Sequence, residues 1–126
     1  MKDKRILIVE DESIPALELK HELENMGCVV VGIVNTGQKA IEAASETKPD
    51  VVLMDIKLHG KMDGIDAAMK IQEVLDIPIV YLTAYSDDDT VDKAKGTKLY
   101  WFLQKPYFFD TIKSTIDKAL ETIPDN

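Results

Sequence analysis

The chain has 126 residues, with 15 basic side chains against 23 acidic ones, for a formal net charge of −8. Hydrophobic residues make up 45% and charged residues 30%, as in an ordinary globular protein. Area scaling buries about two-thirds of a chain this long, so one domain over residues 1–126 is expected.

The acidic balance argues against direct nucleic-acid binding, because phosphate backbones would be repelled. Cys28 is the only cysteine, which excludes an internal disulfide and a cysteine zinc site and suits a small buried hydrophobe. No apolar stretch approaches the ~20 residues a membrane helix needs. The charged start, Met1-Lys2-Asp3-Lys4-Arg5, leads into a strand-like run and not an apolar leader. No signal peptide and a cytoplasmic location are therefore expected.

Strand-like runs fall at about 5–10, 28–34, 50–55, 78–83 and 99–104. They are short, rich in Val, Ile and Leu, and mostly do not alternate, as strands covered on both faces do not. Helical spacing lies between them. Ala16, Leu19, Leu23 and Met26 form the first apolar stripe, and Gly27 gives its stop. Residues 37–47 make a shorter helix. Ile65, Ala68, Ile71 and Leu75 form the third stripe. Residues 87–95 form the weakest helix, with Ser86 or Asp87 as its cap, because Asp87-Asp88-Asp89 leaves little to bury. Phe108, Ile112, Ile116, Leu120 and Ile123 complete the set. Alternating strands and helices predict an α/β fold: a doubly wound, five-stranded parallel sheet with five helices. Ligands of such sheets bind outside the carboxyl ends of the strands.

Those ends carry chemistry. The first run, Ile6-Leu7-Ile8-Val9, ends in Glu10-Asp11-Glu12, and Val51-Val52-Leu53-Met54 ends in Asp55. The fourth run ends in Thr83 and the fifth near Lys105, with Pro106 after it. At ~4 Å and an effective dielectric of 20, each carboxylate pair would cost about 4 kcal/mol. A divalent cation removes that cost, and oxygen-only ligands favour Mg²⁺. Asp11 and Asp55 are expected as direct ligands, Glu10 mainly through water, and the main-chain carbonyl of Lys57 as a further oxygen. Asp55 can also attack a phosphoryl group, with the Thr83 hydroxyl and the Lys105 ammonium meeting the other oxygens. Each group alone has an ordinary alternative: a solvated strand end with helix-capping acids, a strand-end threonine, a surface lysine. Their occurrence at successive strand ends makes coincidence a poor explanation.

Taken with Met62-Asp63-Gly64, Tyr81-Leu82-Thr83-Ala84 and Leu103-Gln104-Lys105-Pro106, these stretches resemble a receiver domain of two-component response regulators, over nearly the whole chain. The resemblance implies a flavodoxin-like sheet of order 2-1-3-4-5. It implies that Asp55 accepts a phosphoryl group from a sensor histidine kinase or phosphotransfer protein. It also implies that Glu10 and Asp11 hold Mg²⁺, that Thr83 and Lys105 contact the phosphate, and that Thr83 and Phe102 form the switch. Such a domain is not an enzyme beyond self-phosphorylation and autodephosphorylation of Asp55. The face built from the fourth helix, last strand and last helix would meet a downstream protein or an output domain, or form a homodimer. Lys57 and Tyr85 fall where the family tunes water access, and Tyr85 is expected to slow hydrolysis.

Leu58-His59-Gly60-Lys61 stands where the family often has Met-Pro, and the loop looks one residue longer. Phe102 replaces a common tyrosine. His59 is expected to be a solvated loop histidine, His21 a surface residue, and Trp101 a core residue on the sheet face opposite Phe102. A haloacid-dehalogenase-like phosphatase would need an acid where Lys57 stands. A flavodoxin-like electron carrier would need a phosphate-binding Ser/Thr/Gly loop where Glu10-Asp11-Glu12 stands. A receiver-like binding module without phosphorylation would not need the full set of acids, threonine and lysine.

Overall fold

A computed structural model describes residues 2–84 and 88–121 of the chain. Five strands, β1 (Arg5–Val9), β2 (Val29–Val34), β3 (Val51–Asp55), β4 (Ile79–Thr83) and β5 (Tyr100–Gln104), alternate with five helices. The helices are α1 (Ser13–Asn25), α2 (Gly37–Thr47), α3 (Gly64–Val74), α4 (Asp88–Ala94) and α5 (Phe109–Glu121). The strands form one sheet of order β2-β1-β3-β4-β5, and every neighbouring pair is parallel. This is the expected doubly wound topology.

The two-residue period of each strand sorts its side chains between two layers. Leu7, Val9, Val52, Met54, Ile79 and Tyr81 join Ala40, Ala44, Ile65, Ala68 and Ile71 from α2 and α3. Ile6, Ile8, Val51, Leu53, Val80 and Leu82 join Ala16, Leu19 and Leu23 of α1 and Ile112 and Ile116 of α5. Burying each such aliphatic side chain stabilises by roughly 1.5–3 kcal/mol, so both layers contribute substantially. Cys28 belongs to the second layer, and burial pushes its thiol pKa up. Trp101 and Phe102 pack on opposite layers, as the strand period requires.

Local signals explain the boundaries. Gly27 follows α1 with φ +91°, a left-handed turn that glycine enters without a Cβ clash. The Thr36 side chain caps α2 by accepting from the Lys39 amide at 3.1 Å. Asp63 caps α3 in a reciprocal capping box with Asp66. Three expectations need correction. Each predicted strand is trimmed, and Glu10 lies just beyond β1. Phe108 lies before α5 and is exposed, because the turn through Pro106 delays the helix to Phe109. Met26 and Leu75 end the first and third stripes as caps after α1 and α3, although both still pack on the core. Ser86, Asp87 and Ile123 lie outside the described residues. The fourth helix is short, and Ala94 is its only buried residue among those described.

Candidate functional site

Strand register brings the acids together. Val9 pairs with Met54, so Glu10, just past β1, and Asp55, the last residue of β3, come side by side. The Glu10 amide donates to the Val34 carbonyl at 2.9 Å, which pins the turn out of β1. Carboxylate oxygens of Glu10, Asp11 and Asp55 all lie within 4.8 Å of one another. Glu10 and Asp55 are buried, and among the described residues neither Glu10 oxygen has a hydrogen-bond partner. A buried acceptor left unpaired is costly in water-free surroundings. Burial, with the neighbouring Asp55 carboxylate, pushes the Glu10 carboxyl up to about 8. Such an oxygen set fits a hard divalent cation, which would occupy the acceptors left without a hydrogen bond.

Lys105 closes the group from β5. Its main-chain amide donates to the Thr83 carbonyl at 2.7 Å, and its peptide bond to Pro106 is cis. Its Nζ lies 3.3 Å from Asp55 Oδ2 and 3.7 Å from Glu10 Oε1. Burial pulls the ammonium pKa down, but the charges of Asp55 and Glu10 outweigh it and the net shift is upward. The Lys57 amide donates to Asp55 Oδ1 at 3.1 Å, so both Asp55 oxygens have a fixed neighbour. Thr83 is buried at the end of β4 and lines the same cleft as Asp11, Asp55, Lys57 and Lys105. The cleft has a volume of about 360 Å³. Every expected site residue of the phosphoryl and metal set thus lies at one sheet edge.

Phe102 sits farther down β5. Its ring centroid is 5.8 Å from that of Tyr81 and 5.7 Å from that of Tyr100, the latter edge-on. The Tyr81 hydroxyl hydrogen-bonds the Thr97 hydroxyl in the turn before β5. Sequence reasoning missed this aromatic group, although Tyr100 and Phe102 share one strand face by period. Tyr85 lies outside the described residues.

Three contacts near the cleft were also missed. His59 is solvent-exposed as expected, but its Nδ1 lies against Asp11 Oδ2. Lys93 of α4 reaches Asp63 Oδ2 at 2.6 Å and Asp66 Oδ1 at 3.1 Å, tying α4 to the cap of α3. Gly64 lets α3 approach the strand end, its amide donating to the Ile56 carbonyl at 2.8 Å. The Met62-Asp63-Gly64 stretch was the available signal for the last two.

The doubly wound sheet with an acidic cleft at its carboxyl edge fits one class, the receiver domains of response regulators. The response regulator receiver domain family matches residues 6–117, and the chain belongs to that family. It is 38% identical over 117 residues to the transcriptional regulatory protein PdtaR of Mycobacterium tuberculosis, covering 93% of this chain and 57% of that one. It is 36% identical over 116 residues to the phyllosphere-induced regulator PhyR of Methylorubrum extorquens, covering 91% and 43%. The chain thus spans about half the length of these curated relatives, both of which are named as regulators. Among solved structures, the signal receiver domain of a modulated diguanylate cyclase from Desulfovibrio desulfuricans G20 superposes with a TM-score of 0.89 at 32% identity, covering 95% of each chain. Family membership makes this a domain of two-component signalling. Among the described residues, no helix is long and apolar enough to cross a membrane.

Proposed function

We propose that residues 1–126 form one receiver domain that works as a phosphorylation switch, with Asp55 as the phosphoacceptor. The observation that carries this reading is a single ammonium, Lys105, shared between Asp55 and a buried Glu10 that has no hydrogen-bond partner among the described residues. A structural ion pair would satisfy its acid. This arrangement leaves acceptor capacity over beside Asp11 and Asp55.

The phosphodonor is a phosphohistidine on a sensor histidine kinase or phosphotransfer protein. An Asp55 carboxylate oxygen attacks phosphorus. The O–P bond forms as the P–N bond breaks, the imidazole keeps the electron pair, and Asp55 becomes an acyl phosphate. Glu10, Asp11, Asp55 and the main-chain carbonyl of Lys57 would hold Mg²⁺, which when bound neutralises charge on the phosphoryl oxygens. Lys105 meets one phosphoryl oxygen and the Thr83 hydroxyl donates to another. The Lys57 amide keeps the Asp55 carboxylate oriented. Hydrolysis of the acyl phosphate resets the domain, without steady turnover of a free substrate.

Phosphorylation draws Thr83 toward the new charge, and Phe102 rotates into the space it leaves. The change is a population shift between two packings of one core. The partly buried position of Phe102 and the sparse packing of α4 support it. The altered face of α4, β5 and α5 then meets a downstream protein or an output domain, or pairs with a second copy. A cytoplasmic location and no direct contact with nucleic acid fit the charge and the kinase.

Incubation with Mg²⁺ and acetyl phosphate, followed by intact-mass measurement, tests the scheme. One phosphoryl adduct is expected, absent from Asp55→Asn. No adduct, or an adduct retained by Asp55→Asn, would count against Asp55.

A further inference from the structure

The ligands named for Mg²⁺ are all oxygens. The loop after β3 brings a different donor. Leu58 packs on the core and anchors that loop, and the next residue, His59, sets Nδ1 against Asp11 Oδ2. His59, Asp11 and Asp55 line one cleft. The His59 side chain is 89% exposed, so its ring can adjust without disturbing the core. A cluster of acids alone would be an ordinary surface feature. Here Glu10, 4% exposed, has no hydrogen-bond partner for either oxygen among the described residues and only Lys105, at 3.7 Å, as a counter-charge, which points to a cation.

We propose that His59 is a nitrogen donor to this cleft, acting with Asp11, so that it adds to the affinity for Mn²⁺, Co²⁺, Ni²⁺ or Zn²⁺ and not to that for Mg²⁺. The inference rests on reading the acid cluster as a cation site. Imidazole suits borderline transition metals, whose affinity for mixed nitrogen and oxygen sites rises from Mn²⁺ through Ni²⁺. Mg²⁺ prefers oxygen and keeps several waters. Exchanging one bound water for His59 therefore strengthens Ni²⁺ binding and does little for Mg²⁺. With the metal bound, Nδ1 shares a cation with Asp11 where it now makes a direct contact.

Calorimetric titration of the full chain with MgCl₂ or NiCl₂ tests this, using a His21→Ala background so that His59 is the only histidine left. Adding His59→Ala should weaken Ni²⁺ about tenfold or more, the usual effect of losing a ligand or its support, and leave Mg²⁺ within about twofold. Pulsed electron paramagnetic resonance of the Cu²⁺-loaded chain should show imidazole nitrogen coupling that His59→Ala abolishes. Equal weakening of both ions would make His59 only an orienter of Asp11 and overturn the proposal, as would unchanged Ni²⁺ binding. Ni²⁺ binding that needs His59 but neither Asp11 nor Asp55 would also overturn it. If Ni²⁺ binding needs His59 and Asp11 while Mg²⁺ fails to bind at all, the Mg²⁺ reading falls and this inference stands.

Discussion

The α-carbon of Gly64 packs so closely on the main chain of Asp55 that a Cβ there would lie 2.1 Å from the Asp55 carbonyl oxygen and 2.9 Å from its carbonyl carbon. No rotamer relieves a backbone clash of that size. Gly64→Ala must push α3 away from the end of β3. Overpacking of this kind costs about 1–3 kcal/mol. Thermal unfolding should show a melting temperature lower by several degrees, and acceptance of phosphate from acetyl phosphate should slow because Asp55 moves with its main chain.

Glu10 gives the metal-free protein a particular pH dependence. Its pKa rises from 4.5 to about 8 on folding, so between these values the folded state binds more protons than the unfolded state. Stability therefore falls as pH rises from about 4.5 to about 8, by at most a few kcal/mol. Glu10→Gln should flatten this decline and raise the stability of the metal-free protein at pH 8. Urea unfolding at pH 5 and pH 8, with a chelator present, measures it. A parent protein whose stability climbs across this interval would contradict the assignment.

Lys93 ties α4 to Asp63 and Asp66 through partly exposed ion pairs. Such pairs contribute about 0–1 kcal/mol each and weaken with salt. Lys93→Met should therefore cost little global stability while speeding hydrogen exchange of the α4 amides. High salt should reproduce part of that effect in the parent and little in the variant.

Tyr81→Phe removes the hydroxyl that meets buried Thr97 but keeps the ring against Phe102. Leaving the Thr97 hydroxyl without this partner should cost about 1–3 kcal/mol. Denaturant unfolding gives the cost, and the Tyr81→Phe/Thr97→Val double variant should recover part of it.

The sheet was readable because its strands are short apolar runs covered on both faces, and the acids, Thr83 and Lys105 were readable because parallel strands end on one edge. Asp11 to His59 and Lys93 to Asp63 were not readable. Both join loops or helix ends that are distant along the chain, and only the folded backbone brings them near. The α5 boundary was misread for another reason: Phe108 matches the helical spacing, yet the turn through Pro106 keeps it outside the helix. Tyr81 read as one more apolar strand residue, since nothing local reveals that its hydroxyl finds Thr97.

Trp101, the single tryptophan, belongs to the α1 and α5 layer, while its neighbour Phe102 belongs to the other. The molecule thus carries a built-in fluorophore on the side of the sheet that an aromatic flip at Phe102 does not touch. Steady intrinsic emission through a phosphorylation cycle would mean that the rearrangement is confined to one side. A shift in that emission would mean that it passes through the sheet.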